Sequence, residues 1–221
     1  MSTPELVFFI SLSVIIYTYL GYGLIVKTLM QFRTRNILAT LADIDLPTIT
    51  HIVAAYNEED ILKAKIDNCA KINYPIDKIR TIIVTDGSTD GSSAIVEADN
   101  RVISYHDESR LREGKLAAVN RVVKDVTDSI IVFSDANALL NKDSLRNIAQ
   151  HFQNNLVGAV AGEKVVESED VDDATSAGEG FYWKYESWLK KLDYQLHSVV
   201  GAAGELFAIR THLYQSPKSG L

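Results

Sequence analysis

One cysteine in 221 residues, Cys69, leaves no internal disulfide and no zinc site of the usual cysteine spacing. It falls in the helical pattern NEEDILKAKIDNCAKI and reads as a buried structural thiol. Prolines number only 4, and with 47% hydrophobic and 23% charged residues the composition is that of a folded chain, not a disordered one. No basic run occurs. A formal charge of −7 argues against nucleic acid as a partner, because proteins that bind a phosphate backbone concentrate a basic face. The P-loop (GxxxxGK with Ser or Thr), GxGxxG, HExxH, GxSxG and CxxC patterns are all missing, which weighs against kinase, dehydrogenase, zinc-protease and serine-hydrolase readings. The five histidines, His51, His106, His151, His197 and His212, fit no ligand spacing and read as structural or solvated.

Charge is also missing from one long stretch, LVFFISLSVIIYTYLGYGLIV at residues 6–26, which matches the roughly 20 apolar residues of a membrane-spanning helix. A cleaved signal peptide has a basic start, a shorter apolar region and a small-residue cleavage site, whereas this chain opens MSTPE. Lys27, Arg33 and Arg35 follow the stretch and no Lys or Arg precedes it. The expectation is an outside N-terminus and a cytoplasmic remainder, anchored in the inner (cytoplasmic) membrane. Tyr17, Tyr19 and Tyr22 then fall toward the cytoplasmic half, where an aromatic belt sits.

Beyond a linker of mixed character, short β-branched runs alternate with helical patterns, the rhythm of a parallel sheet in a single α/β domain. TITHIVAA (48–55), RTIIVT (80–85), RVISYH (101–106) and IIVFS (130–134) read as strands, with helices over 57–72, 89–98 and 114–126. In such a sheet the ligand crevice lies beyond the carboxyl ends of the strands. The polar clusters fall there: AAYNEED after the first strand, TDGSTDGS after the second, SDANA after the fourth. Taken singly, Asn57, Asp90 and Ser92 read as helix N-caps. Three acidic clusters converging on one crevice, however, repel unless something positive lies between them.

A divalent metal and a phosphorylated ligand supply that charge. Asp135 and Asn137 stand at alternate positions, so their oxygens suit one hard cation, Mg2+ or Mn2+, which keeps waters and phosphate oxygens in its remaining positions. Lys115 opens a helix directly after Gly114, where an ammonium and the helix dipole favour a diphosphate.

VAAYNEED, IVTDGSTDGS, REGKLAAVN and FSDANA, in this order and spacing, resemble the family 2 glycosyltransferases, inverting enzymes with a Rossmann-like GT-A nucleotide-sugar-binding fold. The N-terminal stretch is similar to the leader of the membrane-bound bacterial members. The resemblance implies a nucleotide-sugar donor, normally a UDP-sugar, and a saccharide or lipid-linked acceptor in cell-surface polysaccharide synthesis. It places Ala55 and Glu58 around the nucleoside, Asp86 on the base, Lys115 near the diphosphate, and Asp135 with Asn137 at the Asp-x-Asp metal motif. Asn137 departs from the commoner second aspartate, which leaves Asp135 most of the charge. The implied organisation is an anchor at 1–35, a linker at 36–47 and a catalytic domain over 48–221.

Acceptor-side candidates lie further on. Phe181, Tyr185, Trp188, Leu192 and Leu196 share helical spacing, first of all a packing face, although Trp183 or Trp188 can also stack on a sugar. VGAAGELFAIR resembles the family's strand beneath the acceptor, where Gly201 and Gly204 permit close approach. Glu186, Asp193 and Glu205 match no general-base motif, although Glu205 is nearest that strand. In the family an acidic motif supplying the base follows shortly after, whereas this sequence runs out at KSGL. The expectation is therefore a domain incomplete at its C-terminus that binds nucleotide sugar and transfers it poorly. The alternatives are a catalytically silent nucleotide-sugar-binding membrane module, acting with a partner subunit, and a nucleotidyltransferase of related fold. The last wants a glycine-rich basic loop where AAYNEED is acidic.

Overall fold

The computed structural model describes residues 2–32, 39–106, 112–163, 174–199, 201 and 204–217, with side chains from residue 182 onward in the helix Ala174–Leu196. Arg33 and Arg35, much of the linker, Leu111, the Phe181 side chain and the KSGL end lie outside the described residues. The chain forms two compact units, Met1–Ile37 with Val165–Gly201 and Leu38–Lys164 with Ala202–Leu221.

The first unit is helical. α1 (Thr3–Ile16), a π-helical turn (Tyr17–Gly21) and α2 (Tyr22–Met30) form one apolar helix of 28 residues. At about 1.5 Å per residue it is long enough for a hydrocarbon core about 30 Å thick. Its start is fixed by Pro4 in the first turn and by the Glu5 carboxylate, which accepts the Ser2 amide at 2.8 Å. α7 (Ala174–Leu196) packs on α2 through the face its spacing foretells. Trp188 and Leu189 lie against Gly23, where a Cβ would stand 2.5 Å from the indole, so only glycine admits the ring. Tyr185 Oη donates to the Tyr19 carbonyl and Tyr22 Oη to Asp193, while Leu192 is buried.

The second unit is a six-stranded sheet of order β3-β2-β1-β4-β6-β5. β1 (Ile49–Ala55) lies between β2 (Ile79–Thr85) and β4 (Ile130–Asp135), parallel to both, and β3 (Ile103–His106) continues the parallel set. β6 (Leu206–Arg210) pairs antiparallel with β4, and the short β5 (Ala159–Ala161) antiparallel with β6. The all-parallel expectation is thus corrected to a mixed sheet. β6 enters at the carboxyl edge, Leu206 opposite Ser134, and must run down the sheet; side-chain alternation carries no direction.

Strand alternation divides the core. Ile52, Ile82, Val84, Ile131 and Phe133 meet α5 (Lys115–Val123) through Ala118, Val119 and Val122. On the opposite face Val53, Ala55 and Ile83 meet α3 (Glu59–Ala70) and α4 (Ser92–Glu97), while Ile49, Ile130 and Val132 meet α6 (Ser144–His151). The helices are shorter than expected at both ends, and their starts are later because Asn57, Asp90 and Gly114 are used in the turns that precede them.

Candidate functional site

The chain runs β1, β2, β3 in one direction across the sheet, then returns to place β4 on the other side of β1. The strand order therefore reverses at β1 and β4, and the carboxyl ends of these two strands are where α/β sheets bind ligands. Ala55 ends β1 and Asp135 ends β4 on either side of this point. Asp86 follows β2, and its amide donates to the Ala55 carbonyl at 3.3 Å.

Asp86 is 4% exposed and its carboxylate is heavily used. Oδ2 accepts the amides of Glu113 and Gly114 at 3.0 and 2.7 Å, and Oδ1 accepts Arg121 Nη2 at 2.6 Å. Arg121, in the last turn of α5, also pairs with Glu113. The amides just ahead of α5, which the sequence offers to a diphosphate, are therefore taken by Asp86. A carboxylate has about four accepting positions, and three are filled. Gly87 lets the two loops meet: its φ is +66°, and a Cβ there would stand 2.8 Å from the Arg112 amide. The Arg112 guanidinium covers the Tyr56 ring at 3.9 Å, a cation–π contact between the loops after β1 and ahead of α5.

The loops after β1 and β2 brace each other. Asn57, at φ 53°, accepts the Thr89 amide through Oδ1 at 2.8 Å. Ser92 Oγ accepts the Glu58 amide, Asp90 accepts the amides of Ser92 and Glu59, and the Glu59 carboxylate accepts that of Gly91. The hydrogen bond from Ser92 is the main cause holding the Asp90 carboxyl below its usual range. The N-cap expectation is corrected: the cap positions of α3 and α4 are Glu58 and Gly91, so Asp90 accepts the first amides of both helices from outside them, while Asn57 and Ser92 tie the two loops together.

At the end of β4 the Lys115 ammonium meets Asp135 Oδ1. Asn137, two residues on, is exposed within a turn closed by the Ala138 amide on the Asp135 carbonyl. Among the described residues no three His, Cys, Asp or Glu side chains cluster in a way that would hold a metal. A divalent ion here would therefore take two protein oxygens, one of them on a carboxylate already shown to attract a cation. That donor set fits Mg2+ or Mn2+ completed by phosphate and water, and not a structural zinc centre.

Of the remaining candidates, Glu205 is placed beside Asp135, whose amide donates to the Glu205 carbonyl at 3.4 Å. Gly204 has open space where a Cβ would project. Trp188 belongs to the helical unit and packs on Gly23, while Glu186 pairs with Lys190 and Asp193 accepts from Tyr22. The sequence reading missed Arg121, Arg112 and Tyr56. It also missed a buried polar group behind the 135–138 turn, Lys65, His51 and Ser134. A lysine in the apolar stripe Leu62, Ile66, Cys69 of α3 was the available signal for the last of these.

The glycosyl transferase family 2 model matches residues 50–215. A beta-monoglucosyldiacylglycerol synthase of Synechocystis sp. is 29% identical over 166 residues, 72% of this chain and 33% of that protein. A poly-beta-1,6-N-acetyl-D-glucosamine synthase of Staphylococcus aureus is 27% identical over 121 residues, 53% of this chain and 29% of that protein. The solved structure of a mannosyltransferase from Pyrobaculum calidifontis, in complex with GDP-Man and Mn2+, shares the fold with a TM-score of 0.71 and 26% identity, over 91% of this chain and 55% of that one. The chain therefore spans about a third of the length of the curated relatives it matches. A family model that covers most of the sheet unit, joined to a GT-A fold shared with a nucleotide-sugar-bound enzyme, shows that this chain belongs to glycosyl transferase family 2.

Proposed function

We propose that the chain transfers a sugar, with inversion, from a nucleoside diphosphate sugar, normally a UDP-sugar, to a saccharide or lipid-linked acceptor. The observation that carries this reading is the meeting of Lys115 and Asp135 at the switch point of the sheet. The mannosyltransferase of the same fold is in complex with GDP-Man and Mn2+, and the curated relatives are named for a glucolipid and for an N-acetylglucosamine polymer. The apolar helix Thr3–Met30 spans the cytoplasmic membrane in this reading, with the sheet unit in the cytoplasm.

Ala55 and Glu58 border the nucleoside. Asp86 holds the Glu113–Gly114 turn through two accepted amide hydrogen bonds, takes a third from Arg121, and offers its fourth position to a ring N–H of uracil. Asp135 and Asn137 hold Mg2+ or Mn2+, which acts as a Lewis acid toward the diphosphate. Lys115 places its ammonium where negative charge grows on the departing nucleoside diphosphate. The acceptor hydroxyl attacks the anomeric carbon from the opposite face, the bond to the diphosphate breaks, and the hydroxyl proton passes to a carboxylate. The open space at Gly204, beside Glu205, is where the acceptor approaches.

A radiolabelled sugar-transfer assay on the full chain, run beside calorimetry with UDP, GDP and ADP, tests the reading. UDP is expected to bind most tightly, and Asp86→Asn to erase that preference. Equal affinity for the three nucleotides in the wild type refutes the base assignment, and binding without transfer identifies the silent module instead.

A further inference from the structure

Lys65 is 0% exposed and occupies the sheet-facing stripe of α3 with Leu62, Ile66 and Cys69. A leucine would fill such a position at no electrostatic cost, whereas a buried ammonium requires specific acceptors. Lys65 has two. Its Nζ donates to Ser134 Oγ at 2.9 Å and to the Ala138 carbonyl at 2.5 Å. These residues flank the turn that carries Asp135 and Asn137.

The partner of Ser134 is as deeply buried. His51, on the neighbouring strand, lies 2.8 Å from Ser134 Oγ through Nε2, with Nδ1 3.9 Å from Cys69 Sγ. Burial first, then the Lys65 charge, lowers the His51 pKa to about 3, so the imidazole is neutral. The Ser134 hydroxyl accepts from Lys65 and keeps its proton and a second lone pair, so it can pair with Nε2 of either neutral tautomer of His51. Burial pulls the Lys65 pKa down, while Cys69 and Asp135 oppose that shift, so the Asp135 carboxylate favours the ammonium across the turn. One helical turn on, Asn68 makes two hydrogen bonds to the Leu140 backbone, both at 2.8 Å. α3 therefore already fastens the far end of this loop, and Lys65 acts closer to Asp135.

We propose that Lys65 is a positioning residue of the donor site: from behind the sheet edge it holds the 135–138 turn by the Ala138 carbonyl and by Ser134, in the geometry that presents Asp135 and Asn137 to a divalent cation. This inference rests on the donor-site reading above. It does not place Lys65 in contact with substrate. It assigns to a lysine of the apolar core the task of a supporting partner, of the kind whose loss weakens metal affinity by about 10-fold to 100-fold.

The test measures UDP affinity of the full chain by calorimetry, with Mn2+ and with EDTA, for wild type, Lys65→Met and Ser134→Ala. Methionine keeps the volume and removes the donors. The expected result is that Lys65→Met lowers the Mn2+ enhancement of UDP binding by about 10-fold and leaves affinity in EDTA within about 2-fold. Ser134→Ala, which keeps the Ala138 bond, is expected to lose a smaller part of the enhancement, and it decides the matter if Lys65→Met does not fold. Full enhancement in the deciding variant overturns the proposal, as does an equal loss with Mn2+ and with EDTA, the mark of a merely structural lysine. Absence of any Mn2+ enhancement in the wild type instead overturns the donor-site reading, and this inference with it.

Discussion

Changing Arg121 to methionine removes the guanidinium from Asp86 while keeping a long apolar stem in the groove it crosses. The two side chains are 12% and 5% exposed, so the carboxylate left behind cannot recover its water. Removing one partner of a buried ion pair costs about 3–5 kcal/mol. Two observations place this pair at the lower end: Asp86 retains the amides of Glu113 and Gly114, and Arg121 Nε is a buried donor without a partner, so the pair is imperfect to begin with. About 3 kcal/mol corresponds to a fall in Tm of about 6–12 °C for a domain of this size. Thermal melts of the full chain followed by circular dichroism measure it. Adding Asp86→Asn to Arg121→Met is expected to restore part of the loss, because the amide takes the same place without a charge. A loss below about 1 kcal/mol, the worth of an exposed pair, or no recovery in the double variant, refutes the reasoning.

Gly87→Ala is expected to destabilise by about 1–3 kcal/mol, since the substitution combines a left-handed φ with a close approach to the Arg112 amide, and melts of the variant check it. His51, buried and neutral with a pKa of about 3, predicts a pH dependence of stability. The unfolded side chain titrates near 6.5, so the unfolded state binds more protons between those values. The contribution is intact above about pH 6.5 and falls by about 1.4 kcal/mol per unit below it, about 2 kcal/mol by pH 5. His51→Gln should flatten the slope of urea-derived stability between pH 6.5 and 5; an unchanged slope contradicts the burial argument.

The strands and their order of appearance were legible because β1, β2 and β4 are continuous β-branched runs that stop at Asp, Gly and Asn. The residues at their carboxyl ends followed from that, since Asp86 and Asp135 stand where each run stops. β6 was legible as a strand but not in direction, because Leu206 and Ser134 come together only through a connection of some 70 residues. The cations that neutralise the site were half legible. Lys115 announces itself beside Gly114, whereas Arg121 is one basic residue on an otherwise ordinary helix and gains its meaning only when α5 packs back over β2. Lys65 drew no notice in the sequence, as one lysine among several in a helical pattern. Its stem follows the apolar stripe of α3, and its acceptors lie 69 and 73 positions away.

The account turns on Asp135 as the charged ligand of a metal-dependent donor site, with Lys115 beside it. The most direct measurement titrates UDP into the full chain with and without Mn2+, for wild type and Asp135→Ala. The account predicts that Mn2+ tightens UDP binding to the wild type and has no effect on the variant. An Mn2+ enhancement that survives in Asp135→Ala contradicts it.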